Sequence, residues 1–287
     1  MTEILTWNIQ CGLGVDGRVD MERIASVIRA MGDPDIICLQ EVSQHFPELD
    51  NGAGDDQADM LAGLFEGYQP WFGAALDRID DARARSPRRR FGNLMLTRLP
   101  VLSLFFHHLP QPAATGIKHM PRQAIEATVA TPGGALRIVT THLEYHVLEH
   151  RMAQVSRLRS LHAEAAAYTD NPPEQAAGPY QLLNRPSDMV LCGDFNLEPD
   201  SAEYASLVAP FDDGTPALSD GWRIACGDRS HEPTCGIFDH RQWPAGPHCR
   251  DFFFVTQGIR NKVVAIDVNV ETDASDHQPL MLKLDLK

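Results

Sequence analysis

The sequence predicts a layered α/β or α+β domain. Runs with strand patterning alternate with runs of helical spacing from one end to the other. No repeat, low-complexity tract or clear linker divides them, so residues 1–287 are expected to form one domain. Several short apolar runs also stop or start at an acidic residue, an asparagine or a histidine.

The elements follow in order. Glu3 to Ile9 reads as a strand, and Asp16-Gly17 as a turn. Met21, Ile24, Ala25, Ile28 and Met31 recur at helical spacing, with Gly32 placed to end the helix. Pro34 forces an extended restart, and Ile36 to Leu39 reads as a buried strand ending at Gln40-Glu41. A helix is expected from Asp56 to Phe65, a charged insertion over residues 77–90, and a strand from Phe91 to Thr97. Gln123 to Ala130 and Ala135 to Leu143 flank Thr131-Pro132-Gly133-Gly134 as a hairpin. From about Glu149 to Tyr168 a helix carries Val155, Leu158, Leu161 and Ala165 on one face. Residues 170–187 read as a loop, Met189 to Cys192 as a buried strand, and residues 212–249 as irregular. Phe252 to Val255 and Leu280 to Leu286 read as the last strands.

Composition narrows the class. With 43% hydrophobic and 22% charged residues, the chain can bury a core of ordinary size. No apolar run reaches bilayer-spanning length. The opening MTEILTWNIQ lacks the basic flank and apolar core of a signal peptide, so a cytoplasmic location is expected. The 6 cysteines follow no tight framework, which predicts reduced thiols, with Cys38 and Cys192 in the core. A net charge of -14 opposes nucleic-acid binding by bulk electrostatics. It does not exclude a nuclease, because a bound metal supplies positive charge where a phosphate docks.

The polar residues at strand ends carry the chemistry. An unpaired buried carboxylate is expensive, and a shared cation is one way to neutralise several at once. Asn8 ends the first strand, and Glu41 follows the second as a hard oxygen ligand suited to Mg²⁺ or Mn²⁺. His142 closes the hairpin's second arm. Asp194 and Asn196 lie two apart in Cys192-Gly193-Asp194-Phe195-Asn196, so an extended chain puts both on one face, while Gly193 admits a close neighbour. Asp251 heads a strand, and Ser275-Asp276-His277 precedes another; Asp251 is placed to hold the His277 imidazole. Each has an ordinary explanation alone: a turn, a solvated loop residue, a hydrogen-bonded core histidine. Their recurrence at strand edges is what points to a site.

The order Trp7-Asn8, Gln40-Glu41, Thr141-His142-Leu143, Gly193-Asp194-Phe195-Asn196 and Ser275-Asp276-His277 resembles the endonuclease/exonuclease/phosphatase superfamily, over nearly the whole chain. Phe91 to Thr97 is similar to the family strand that carries a Gly-Asn pair, here Gly92-Asn93. That superfamily includes apurinic-site endonucleases, pancreatic deoxyribonuclease, deadenylases, neutral sphingomyelinases and inositol-polyphosphate phosphatases. The resemblance implies an α+β four-layer α/β/β/α sandwich, two packed mixed sheets flanked by helices, with the site at one edge. It implies Mg²⁺ or Mn²⁺ on Glu41 with Asn8 and Asp276, and phosphate contacts from His142 and Asn196. Asp194 would orient or deprotonate water, and His277, steered by Asp251, would touch the phosphate or pass a proton; both stand as candidates for the base. There are two departures. Arg250 stands where the family carries a hydrophobic residue, and no residue is matched to the tyrosine of the apurinic-site enzymes.

The substrate is expected to be a phosphoester. Arg83 to Arg90 could grip a second phosphate or a nucleic-acid strand, with Arg90 and Arg122 as substrate-binding candidates and Lys118 near them. A nuclease-like phosphodiesterase is the leading expectation. A phosphomonoesterase on a small metabolite or lipid headgroup and an idle binding module on the same fold are its rivals. Cys226, His231, Cys235, His240, His248 and Cys249 crowd one region, but no Cys-x-x-Cys spacing supports zinc there. The sequence sets no oligomeric state.

Overall fold

Successive side chains of a strand point to opposite faces, and here both faces of the inner strands are apolar, so each sheet must be covered twice. The computed structural model describes residues 1–79 and 86–287. In chain order the strands are β1 (Thr2–Asn8), β2 (Ile36–Gln44), β3 (Gln69–Arg78), β4 (Arg89–Thr97), β5 (Val101–His108), β6 (Gln123–Thr131), β7 (Gly134–His142), β8 (Met189–Asp194), β9 (Leu218–Asp220), β10 (Asp251–Thr256), β11 (Val263–Val268) and β12 (Leu280–Leu284). The helices are α1 (Met21–Met31), α2 (Gln57–Leu64), α3 (Leu148–Asp170), α4 (Ala202–Val208) and α5 (Gly221–Cys226).

The strands form two six-stranded sheets, ordered β11-β12-β1-β2-β4-β3 and β5-β6-β7-β8-β10-β9. Ile4, Ile36 and Met95 of the first meet Ile138, Val190 and Phe253 of the second between the sheets. Their chain neighbours turn outward. Leu5 and Ile37 pack on Ile24 and Ile28 of α1 and Leu61 of α2. Leu191, Phe252 and Phe254 pack on Val155 and Leu158 of α3 and Leu207 of α4. The result is the four-layer α/β/β/α sandwich. Each large apolar side chain buried this way contributes roughly 1.5–3 kcal/mol.

Both sheets are mixed. β1/β2 and β7/β8 are parallel and each pair is bridged by a long helix, α1 or α3, as parallel neighbours require. Asp20 caps α1 by accepting from the Arg23 amide, and Gly32 ends it at φ 149°. The hairpin pairs Thr131 with Gly134, leaving Pro132-Gly133 as its tip.

Patterning does not predict β3, β5, β9 or β11, and these are the outer strands of the two sheets. β3 runs to Arg78 and β4 starts at Arg89, so the charged insertion expected over residues 77–90 is shorter than the sequence suggests. The irregular stretch expected over residues 212–249 holds β9 and α5. Among the described residues, no helix is long and apolar enough to cross a membrane. All of the cysteines are free.

Candidate active site

Strand register assembles the floor of the site. Parallel pairing sets His142 beside Asp194, and antiparallel pairing sets Asp194 beside Asp251. Gly193 permits this: at φ 135°, a Cβ there would fall 1.9 Å from the Thr141 carbonyl oxygen. In the facing sheet Asn8 pairs with Gln40. β2 does not stop at Gln40-Glu41 as its apolar run suggests. It bulges between Leu39 and Val42, with Glu41 at φ 57°, and continues to Gln44. The bulge re-aims Glu41 toward the other strand ends, and a left-handed non-glycine residue marks strain held by its surroundings. Asn196, at φ 51°, is a second such residue.

The side chains meet closely. Asn8 Nδ2 donates to Asp194 Oδ2 at 3.0 Å and to Glu41 Oε1 at 3.1 Å. His142 Nε2 lies 3.3 Å from Asp194 Oδ2, and His277 Nε2 lies 3.8 Å from it. Asn196 donates its backbone N–H to Asp194 Oδ1 at 2.9 Å, and its amide nitrogen stands 3.1 Å from His142 Nε2. His277 Nδ1 and Asp251 Oδ2 are 2.8 Å apart, and Thr234 donates to the same oxygen at 2.6 Å. Asp276 accepts from the Trp243 indole at 3.1 Å, while Ser275 ties the segment to the Asn8 carbonyl at 2.8 Å.

Electrostatics separates the two histidines. Burial, then the positive charges of Arg122 and His277, hold His142 well below its ordinary value, so its ring is neutral. Burial also disfavours charge on His277, but the carboxylates of Asp251, Asp194 and Asp276 outweigh it and hold this ring protonated. Burial followed by repulsion from Asp276 pushes Glu41 up to about 7, although its side chain is 27% exposed through the pocket mouth. Asp194 and Asp276 are raised chiefly by burial.

These groups open into a cavity of about 530 Å³. Arg122 lines it, 6% exposed, with its nearest ion-pair approach 3.5 Å to Glu144 and with Nε and Nη1 lacking hydrogen-bond partners. Lys118 lines it as well. Arg90 is not among the lining residues; its guanidinium pairs with Asp77 at 3.4 Å. Arg88 shares Asp77, and Arg89 grips Glu48 with contacts of 2.7 and 2.8 Å. The charges at the start of β4 are therefore met by neighbouring acids, while Arg83 and Arg85 lie outside the described residues.

The chain's own pattern also explains its departures. Arg250 turns to the rim, donating to the Asn196 carbonyl at 3.0 Å and lying 5.6 Å from the Trp243 ring centre, so Asp251 still reaches His277. The family profile described as the Endonuclease/Exonuclease/phosphatase family matches residues 5–277. The chain belongs to that family.

This family member is therefore a metal-dependent phosphoester hydrolase. An endonuclease/exonuclease/phosphatase structure from Beutenbergia cavernae is 26% identical with a TM-score of 0.71, the match covering 99% of this chain and 71% of that one. A mannosyl-6-phosphatase from Bacteroides thetaiotaomicron is 16% identical, TM-score 0.67, covering 99% and 100% of the two chains. A humanized D. rerio TDP2 is 19% identical, TM-score 0.62, covering 99% and 98%. The last two share the fold. No curated protein matches the chain.

Oxygen donors dominate the floor of this hydrolase, which suits a hard divalent cation. The fit is visible in Glu41 and Asp276, whose mutual repulsion a cation between them would relieve. Asn8 presents its N–H to the carboxylates, and its oxygen accepts from the Gln10 amide at 3.1 Å. Asp194, Asp251 and His277 place donor atoms within 4.8 Å of one another, but the Asp251–His277 hydrogen bond already uses two of them.

The residues considered for zinc are dispersed. His231 bonds Asp220 at 2.6 Å, Cys235 lies 3.3 Å from His248, and Cys249 contacts the Asp251 carbonyl, each serving a different element. Sequence reasoning missed Trp243, Thr234, Glu144 and Tyr145. The first two lie in a segment without periodicity. Tyr145 and Glu144 directly follow His142-Leu143, and that adjacency was the available signal.

Proposed function

We propose that this pocket hydrolyses phosphodiesters, with Glu41 and Asp276 holding Mg²⁺ or Mn²⁺ and Asn8 fixing Glu41. The bound cation would polarise a phosphate oxygen and offset developing charge. Arg122, His142 and Asn196 hold phosphate oxygens. Asp194, the carboxylate at the centre of the floor, orients the attacking water and takes its proton. His277 is kept charged by Asp251 and donates toward the phosphate or the leaving oxygen.

The charge balance of the pocket carries the choice of diester. Glu41, Asp194 and Glu144 line it, against Arg122, Lys118 and the His277 imidazolium, so one bound divalent cation tips an even balance to a modest positive excess. A singly charged diester is matched by that modest excess, whereas a doubly charged monoester still meets the surrounding carboxylates with more charge than it offsets. The test compares bis-nitrophenyl phosphate, mononitrophenyl phosphate, plasmid and abasic oligonucleotide with Mn²⁺, against a chelator control. Diester turnover above monoester turnover, abolished by chelation, is expected. Preference for the monoester would overturn the reading. A phosphomonoesterase on a small metabolite is the second reading, favoured by the concave pocket, whose size suits a small molecule.

A further inference from the structure

The cavity lining is of unlike parts. Its floor holds the charged groups described above, and His119, Tyr145, His146, Gln242 and Trp243 add polar and aromatic groups around it. A separate apolar wall comprises Phe46, Leu49, Leu76, Phe91 and Met120, contributed by β3, β4 and the segments after β2 and β5. Phe46 and Phe91 form one buried cluster with Leu76 and Met120 packed against it. Two arginines stack on the wall's Phe46. Arg78 and Arg89 lie 5.6 and 5.7 Å from the Phe46 ring centre, and Arg89 is anchored on Glu48, next to Leu49. Arg89, one of the arginines that looked like phosphate grips, thus helps hold an apolar surface.

We infer that the organic group on the scissile phosphate is apolar, an aryl or alkyl group seated on this wall, rather than a sugar or other polyol. The inference rests on the phosphoester reading of the floor. A sugar seated there would lose water from its hydroxyls against side chains that return no hydrogen bond, which penalises it strongly. An apolar group gains by leaving water. A cavity of about 530 Å³ also fits one small molecule rather than a long strand, and a chain of net charge -14 adds no general attraction for polyanions.

Calorimetry on the Mn²⁺-loaded protein with inert phosphonates tests the wall without needing turnover. Phenylphosphonate or octylphosphonate should bind about tenfold or more tightly than methylphosphonate and the phosphonate analogue of glucose 6-phosphate, a step typical of one apolar group in a fitted pocket. The tighter of the first two tells aryl from alkyl. Leu76→Gln and the more exposed Leu49→Gln should each erase much of that preference while leaving methylphosphonate affinity unchanged. Equal or tighter binding of the glucose 6-phosphate phosphonate analogue, or a preference that survives both substitutions, would overturn the inference. A parallel assay with methyl p-nitrophenyl phosphate keeps the two readings apart. Its failure would count against diester hydrolysis, whereas the phosphonate series reads the wall alone.

Discussion

Two buried charged clusters, one on the second sheet and one where the edges of both sheets meet, are built on opposite principles. In the middle of the sheet, Glu126 on β6 accepts from Arg185 at 2.6 and 3.0 Å and lies 3.1 Å from His107 Nε2. Arg137 on β7 lies 3.7 Å from it and reaches His162 Nδ1 at 2.7 Å. Burial opposes the Glu126 charge, but His107, Arg185 and Arg137 outweigh it and bring the carboxyl down to about 2. At the strand ends, Glu41, Asp194, Asp251 and Asp276 converge with one charged imidazole, and Glu41 rises to about 7. The first cluster meets its carboxylate with cations already in the chain. The second leaves carboxylates in surplus, and a surplus that folding tolerates is a place for a metal and a substrate.

The largest expected effect separates chemistry from folding. His277→Ala and Asp251→Asn should each lower kcat by about 10²–10⁴-fold, the range for losing a positioned proton-transfer group or its orienting partner. The urea midpoint of Asp251→Asn, which removes one of the surplus carboxylates, should stay near wild type, and that of His277→Ala should do so once Mn²⁺ is bound. A variant that unfolds instead would show the strand-end cluster to be structural and break the contrast.

The mid-sheet cluster should respond the other way round. Glu126→Gln strands Arg137 and Arg185 without their countercharge and should destabilise by about 3–5 kcal/mol in urea titrations, with metal affinity unchanged. Glu41→Gln comes next in size and has the opposite sign. Because the folded-state value of Glu41 lies above its ordinary 4.5, its charge opposes folding increasingly from pH 4.5 to 7 and fully above 7. The metal-free variant should therefore exceed wild type by up to about 3 kcal/mol above pH 7 and match it below 4.5. Mn²⁺ should stabilise wild type much more than this variant. Glu126, with its value lowered, stabilises above pH 4.5 and loses that contribution as pH falls toward 2. Parallel pH slopes for Glu41→Gln and wild type would remove the basis of the comparison.

The same contrast explains what the sequence discloses. Every inner strand is legible, because two neighbours and two covering layers demand near-continuous apolar runs such as Ile36 to Leu39 and Phe252 to Val255. The outer strands β3, β5, β9 and β11 pair on one side only. Gln69-Pro70 at the exposed start of β3 and the exposed Leu102 and Phe106 in β5 blur the pattern. The strand-end residues Asn8, Glu41, His142, Asp194, Asp251 and His277 stand out because each interrupts or borders an apolar run. Trp243 and Thr234 sit in loops, where only the folded chain brings them to Asp276 and Asp251. The apolar wall was hidden for another reason: Phe46, Leu76 and Phe91 look like core residues in sequence, and the core is where most such residues go.

Arg90 gives the smallest effect and tests whether the start of β4 grips a second phosphate. Its partner Asp77 is shared with Arg88, and all three side chains are more than a third exposed, so water screens the pair. Arg90→Ala should change stability by less than about 0.5 kcal/mol and turnover of a small diester by less than about twofold. A loss confined to long oligonucleotides would instead place a second phosphate over the start of β4, turning Arg90 from a surface partner of Asp77 into a contact for a strand. Salt titration of the oligonucleotide reaction distinguishes these outcomes, because a lost phosphate contact flattens the salt dependence and a lost surface ion pair away from the substrate does not.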